Sequence, residues 1–113
     1  ETEALSVIDV NSASYLGDTD DQKAYLKVNL EAADTAVKQI CLRNLSGIII
    51  IDFIDMADSA SERQVLKRLK QAFARDQTQP TILDCTAMGL VQIARKRTGR
   101  SLSQTLWARA NKT

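Results

Sequence analysis

Histidine is absent from this 113-residue chain, and cysteine occurs only twice, at Cys41 and Cys85. The two thiols have neither the spacing of a metal knuckle nor the density of a secreted disulfide scaffold, so they read as small core side chains. Without imidazole or paired thiols, a metal site here must be built from oxygen, which favours Mg²⁺ or Mn²⁺ over zinc. No apolar run approaches the roughly 18 to 20 residues that span a bilayer, and the amino end lacks a charged-then-apolar signal peptide. A soluble, cytoplasmic protein is therefore expected. Internal repeats and low-complexity tracts are missing as well.

What is present suits one compact domain over residues 1–113, since 44% of the residues are hydrophobic. The chain starts at Glu1 and a strand-like pattern follows within a few residues, as expected of a piece of a longer polypeptide. Charge is divided unevenly. Residues 1–61 hold 11 acidic and 4 basic side chains, a balance of −7, and residues 62–113 hold 3 acidic and 11 basic, a balance of +8. An acidic half beside a basic half suits carboxylates that hold a cation next to a surface that attracts phosphates, although charged helix faces produce similar splits.

Ala4 to Val10 is a short run rich in branched residues and reads as a buried strand with Asp9 near its carboxyl end. Tyr15 to Asp21 is a loop by composition. From Gln22 to Leu42, the residues Leu26, Leu30, Ala33, Val37 and Ile40 recur at spacings of four and three, which predicts a long amphipathic helix. After Leu45-Ser46-Gly47, the unbroken run Ile48 to Ile54 predicts a central strand covered on both faces. Ser59-Ala60-Ser61-Glu62 matches a capping box that opens a second helix, with Val65, Leu66, Leu69, Ala72 and Phe73 as its buried stripe. Pro80 ends that connection. Thr81 to Cys85 and Met88 to Ala94 are strand candidates, the latter with Val91 and Ile93 on one face, although it also has the makings of a helix start. Ser101 to Ala108, with Leu102, Leu106 and Trp107, predicts a short terminal helix. This order predicts an α/β fold, a mostly parallel mixed sheet flanked by helices, with one strand that runs antiparallel.

In such sheets, ligands bind beyond the carboxyl ends of the strands. Asp9 and Asn11 lie two apart on one strand, hence on one face and about 7 Å apart by strand rise. Asp52 ends the next strand, and parallel pairing would bring its carboxylate towards that of Asp9. Two carboxylates so placed repel unless a cation or a proton offsets them. Magnesium takes one or two carboxylates and leaves its other positions to water or phosphate oxygens, which describes a phosphodiester site. The same residues also admit ordinary turn chemistry at Asn11-Ser12, and Asp55 and Asp58 suit the start of the following helix. A phosphoacceptor domain of the receiver type would need a lysine at a later strand end, and Thr81 to Cys85 offers none. Arg95, Lys96 and Arg97 read either as contacts to an RNA backbone or as a solvated basic strand end.

Taken in order and spacing, Ala4 to Ser12, Asn29-Leu30-Glu31-Ala32-Ala33, Gly47 to Met56, Met88-Gly89-Leu90-Val91 and Arg95-Lys96-Arg97 resemble the catalytic subdomain of the ribonuclease E/G family. Several motifs in register are more specific than any one of them. The resemblance implies a DNase I-like subdomain of an endoribonuclease that cuts single-stranded RNA, usually in A/U-rich stretches. It implies Mg²⁺ on Asp9 and Asp52, with Asn11 orienting the attacking water or the scissile phosphate. Two departures stand out. Where relatives carry basic residues after the position of Asp76, one of which helps recognise a 5′-monophosphate, this chain has Gln77-Thr78-Gln79. Where the family continues into a zinc-binding C-x-x-C motif shared between subunits, this chain reads Trp107 to Thr113, so no zinc is expected and any homo-oligomer of the full-length protein would lack that link. The S1 and 5′-sensing regions that precede this segment in the family are not in the chain. The alternative expectation is a non-catalytic RNA-binding or scaffolding module on the same fold.

Overall fold

The computed structural model describes residues 5–10, 22–83 and 89–99. In chain order the elements are β1 (Leu5–Asp9), α1 (Gln22–Leu42), β2 (Gly47–Asp52), α2 (Ser59–Ala72), β3 (Thr81–Ile82) and β4 (Leu90–Arg95). Asn11, the Tyr15 to Asp21 loop, Asp84 to Met88 and the Ser101 to Ala108 segment lie outside the described residues.

The four strands form one sheet in the order β1-β2-β4-β3. β1 and β2 are parallel, whereas β4 runs antiparallel to both of its neighbours. Three strands therefore share a direction and the fourth opposes them, which is the α/β mixed sheet expected. β4 resolves its ambiguity in favour of a strand because it is laid between two others and its alternate residues Val91 and Ile93 are buried.

α1 has the bounds its periodicity predicts, because about four turns of apolar spacing, Leu26 to Ile40, specify a helix better than any local propensity. It ends in a Schellman arrangement: Leu45 N–H donates to the Ile40 carbonyl at 3.0 Å and Asn44 N–H to that of Cys41 at 3.2 Å. Asn44 sits at φ 51°, the left-handed position that this stop requires. α2 departs from the expected capping box. Its N-cap is Asp58, in an extended conformation, with no side-chain cap hydrogen bond, and Ser59 is already helical. A helical Ser59 has its hydroxyl one position too late to serve as the N-cap acceptor.

Both helices pack on one face of the sheet. Ala33, Ala36, Val37 and Ile40 of α1, Val65 and Leu69 of α2, and Ile49, Ile51, Val91 and Ile93 of the sheet form the core. Arg68 of α2 also pairs with Asp34 of α1 at 2.9 Å, an exposed bridge of the kind worth about 0–1 kcal/mol. Among the described residues no helix covers the opposite face. This corrects the reading of β1 as a buried strand and of β2 as covered on both sides: Leu5 and Val7 are 66% and 63% exposed, and Ile48 and Ile50 are only half-buried. No described helix is long and apolar enough to cross a membrane.

Candidate functional site

The site begins with strand register. β1 and β2 pair residue for residue, Leu5 with Ile48, Val7 with Ile50 and Asp9 with Asp52. Alternation along a strand sends Ile49, Ile51 and Phe53 into the core, so Asp52 must point to the opposite, open face. Asp9 falls in phase with the exposed Leu5 and Val7, and it points the same way. The two aspartates are thus lateral neighbours on strands about 4.8 Å apart. Both stand at the carboxyl end of the only parallel pair among the described strands. Asp9 is exposed and Asp52 half-buried.

The chain just after Asp52 is held firmly. Val10 N–H donates to the Asp52 carbonyl at 3.0 Å, and Phe53 N–H to that of Gly89 at 3.1 Å. Asn29, fully buried in α1, clasps Ile54 from both sides: its Nδ2 donates to the Ile54 carbonyl at 2.9 Å, and Ile54 N–H donates to its Oδ1 at 3.0 Å. Gln22 Oε1, at the start of α1, accepts from Ala57 N–H at 2.9 Å. These bonds replace a sheet neighbour that the segment 53–57 has lost on leaving the ladder. Gly89 permits this approach, since it sits at φ 81° and a Cβ there would lie 3.0 Å from the Phe53 carbonyl oxygen.

Asn29 and Gly89 are the positioning residues that the apolar periodicity left out. The signal for Asn29 was available: it lies four residues before Ala33 in the buried stripe, where an amide must find partners. Asn11, the third residue of the sequence-based site, is outside the described residues. Among the described residues no three carboxylates or thiols converge as a metal cluster, so the acidic pair stands as a pair.

The basic run splits. Lys96 and Arg97 are exposed, but Arg95 turns inward and is 5% exposed. Its Nε donates to Asp76 Oδ2 at 2.8 Å and its Nη2 to Asp76 Oδ1 at 3.2 Å. Its Nη1 donates to Asn44 Oδ1 at 3.0 Å and to the Leu45 carbonyl at 2.8 Å. A guanidinium committed in this way has no fork left for a phosphate, so the expectation that Arg95 meets RNA is corrected. The physical reason is phase: Arg95 follows Val91 and Ile93 by twos, on the core side.

Burial would raise the carboxyl of Asp76, but hydrogen bonds from the Arg95 guanidinium and from the backbone of Thr78 outweigh it and hold the group below its usual range. Cys41, a free and half-buried thiol beside this pair, is pushed up by burial first and by the Asp76 carboxylate second. A raised thiol is a poor nucleophile and agrees with a core role.

A family model described as "Ribonuclease E/G family" matches residues 1–98. Among curated proteins, the chain is 39% identical over 106 residues to Ribonuclease G of Escherichia coli (strain K12), covering 94% of this chain and 22% of that protein. It is 43% identical over 101 residues to Ribonuclease E of Synechocystis sp., covering 89% of this chain and 15% of the relative. It is also 37% identical over 109 residues to a Ribonuclease E/G-like protein of Pyropia yezoensis, covering 96% and 21%. The chain therefore spans about a fifth or less of the length of these relatives. With the family match running through both aspartate-bearing strands and on past β4, this chain belongs to the ribonuclease E/G family.

Proposed function

We propose that the chain is the catalytic subdomain of an endoribonuclease that hydrolyses phosphodiester bonds of single-stranded RNA in the cytoplasm, with Mg²⁺, or Mn²⁺ in its place, at Asp9 and Asp52. The observation that carries this reading is the pairing of Asp9 with Asp52 across the parallel β1–β2 ladder, both aimed at the open face. The donor set fits the ion: two carboxylates from adjacent strands supply charge and leave most octahedral positions to water and phosphate oxygens. Such an ion, when bound, polarises the scissile phosphate and lowers the pKa of a water.

The chain's own residues do the rest. Asp9 and Asp52 fix the position of the charge, and the Asn29–Ile54 clasp with the Gly89 contact keeps the Asp52 strand end in register. Asn11 takes the role of orienting the attacking water or the scissile phosphate, and the exposed Lys96 and Arg97 attract the RNA backbone. Zinc has no part in this reading, and assembly of the full-length protein does not use a cysteine link from this chain.

Titration with Mn²⁺, followed by broadening of backbone amide signals, tests the site directly. Broadening centred on residues 9, 52 and 90 is expected, and its loss in Asp9→Asn and Asp52→Asn. Saturating Mn²⁺ without a response there sinks the metal site. In the full-length enzyme either substitution should slow cleavage by more than the roughly 10- to 100-fold that follows loss of a ligand's outer-shell support. Cleavage at the normal rate would instead favour a non-catalytic RNA-binding module.

A further inference from the structure

The basic half of the chain is only partly accounted for by Lys96 and Arg97. α2 carries four of the other nine, Arg63, Lys67, Arg68 and Lys70, and its cations are sorted by face. Arg63, Lys67 and Lys70 are all exposed and follow one another by four and three, which sets them in a single row on the solvent side. Arg75, just past the helix, is exposed as well. Arg68 is excluded from the row by its pairing with Asp34. The helix's one acid, Glu62, is half-buried in the first turn, where it lines a small recess with Phe53, Met56 and Val65. Among the described residues, neither Arg63, Lys67 nor Lys70 makes an ion pair. A row of like charges without interleaved acids is unfavourable for an isolated helix, and it becomes favourable beside a polyanion.

Its place in the fold matters. α2 lies on the layer opposite to the open face that bears Asp9 and Asp52, and Val65 and Leu69 turn towards the sheet while the row turns away. The same RNA segment cannot touch both. We propose that the solvent face of α2, through Arg63, Lys67 and Lys70, is a second contact for the RNA phosphate backbone, separate from the cleavage site and blind to base sequence. The row spans about 10 Å along the helix at about 1.5 Å per residue, enough for a few consecutive phosphates. The proposal rests on the ribonuclease reading for the choice of RNA as the polyanion, but binding at this face needs neither metal nor cleavage.

The test is the salt dependence of binding of the full chain to fluorescein-labelled oligo(U), measured by anisotropy in EDTA. Each phosphate contact to a single strand contributes roughly 0.7 to the slope of log affinity against log salt. R63Q/K67Q/K70Q should therefore lower the slope by about 2, whereas the charge-conserving R63K/K67R/K70R keeps it. K27Q/K38Q/R43Q, which removes three exposed charges elsewhere, should leave the slope near that of the parent. An unchanged slope in the first variant, or equal losses in the first and the last, overturns the proposal. So does binding to phosphatidylserine vesicles without binding to oligo(U). R63Q/K67Q/K70Q should keep the Mn²⁺ broadening at residues 9 and 52 while it loses salt slope, so that failure of the metal site and failure of this surface are read separately.

Discussion

The two faces of one sheet behave differently, and β2 belongs to both. Towards the helices it sends Ile49 and Ile51, each wholly buried, and on the other side it sends Ile48, Ile50 and Asp52, all half-exposed. On the covered face a buried charge is held by its partner, as the Arg95–Asp76 pair shows with side chains 2% and 4% exposed. On the open face an apolar strip from β1 and β2 ends in two carboxylates. The covered face supplies the reason the open one can be built so. A slip of one residue would drive Asp52 into the core and a buried isoleucine out. The register that places the aspartates is thus enforced from the opposite side.

Loss of the Arg95 clamp should be the largest test of that division of labour. Arg95→Met leaves the Asp76 carboxylate buried without its partner and removes donors from Asn44 and from the Leu45 carbonyl. Breaking one side of a buried pair typically costs about 3–5 kcal/mol, to be read by urea denaturation. Asp76→Leu added to it should recover part of that loss, but the Leu45 carbonyl keeps its deficit. The pH dependence has a definite sign. Asp76 is held below its usual value of 3.8 in the folded chain, so its contribution is complete above that value and is lost as pH falls through the lowered one. The parent should lose stability on acidification in that window, and Arg95→Met should lose less there. An equal acid response in both would remove the pair from the account.

This clamp also shows what a sequence reveals and what it withholds. The bounds of α1 and the existence of α2, β2 and β4 follow from apolar spacing, since periodic burial leaves a periodic record. The approach of Asp9 to Asp52 was legible as a condition, parallel pairing, that the sheet fulfils. Arg95 was misread because residue type alone groups it with Lys96 and Arg97. Strand phase, already visible in Val91 and Ile93, assigns it to the inside. The one-sided cover of the sheet among the described residues left no such record. An unbroken run like Ile48 to Ile51 fits a strand covered on both faces as well as one whose open face is apolar. Asn44 is similar: a left-handed stop invites glycine, and only the fold shows why an amide that accepts from both Arg95 and Thr98 stands there.

A middle-sized effect should come from Asn29, which links the covered layer to the site. Asn29→Leu keeps the volume near that of the parent and fits the apolar stripe, yet it leaves the Ile54 N–H and carbonyl without their buried partners. A loss of about 1–3 kcal/mol is expected for such unsatisfied groups. The more telling readout is the proposed Mn²⁺ broadening at residue 52. If Asn29 only stabilises, the broadening at saturation persists unchanged. If it positions the strand end, the response at residue 52 weakens relative to that at residue 9 under conditions where both proteins are fully folded.

The smallest effect should fall on the open face itself. Val7 is β-branched and 63% exposed, beside half-buried Ile50 and two residues before Asp9. Val7→Thr preserves the strand preference and the branching and exchanges one methyl for a hydroxyl that water can reach. Stability should change by no more than about 0.5 kcal/mol, the usual range for surface substitutions. The same exchange at Val91, 1% exposed on the covered face, buries a hydroxyl and should cost about 1–3 kcal/mol. The pair measures the asymmetry of the sheet with one chemical change. A loss at Val7 as large as that at Val91 would mean that the β1 side of the open face is covered in the folded protein, and the proposed approach of RNA to Asp9 would then have to come from beyond the strand ends instead of across the sheet.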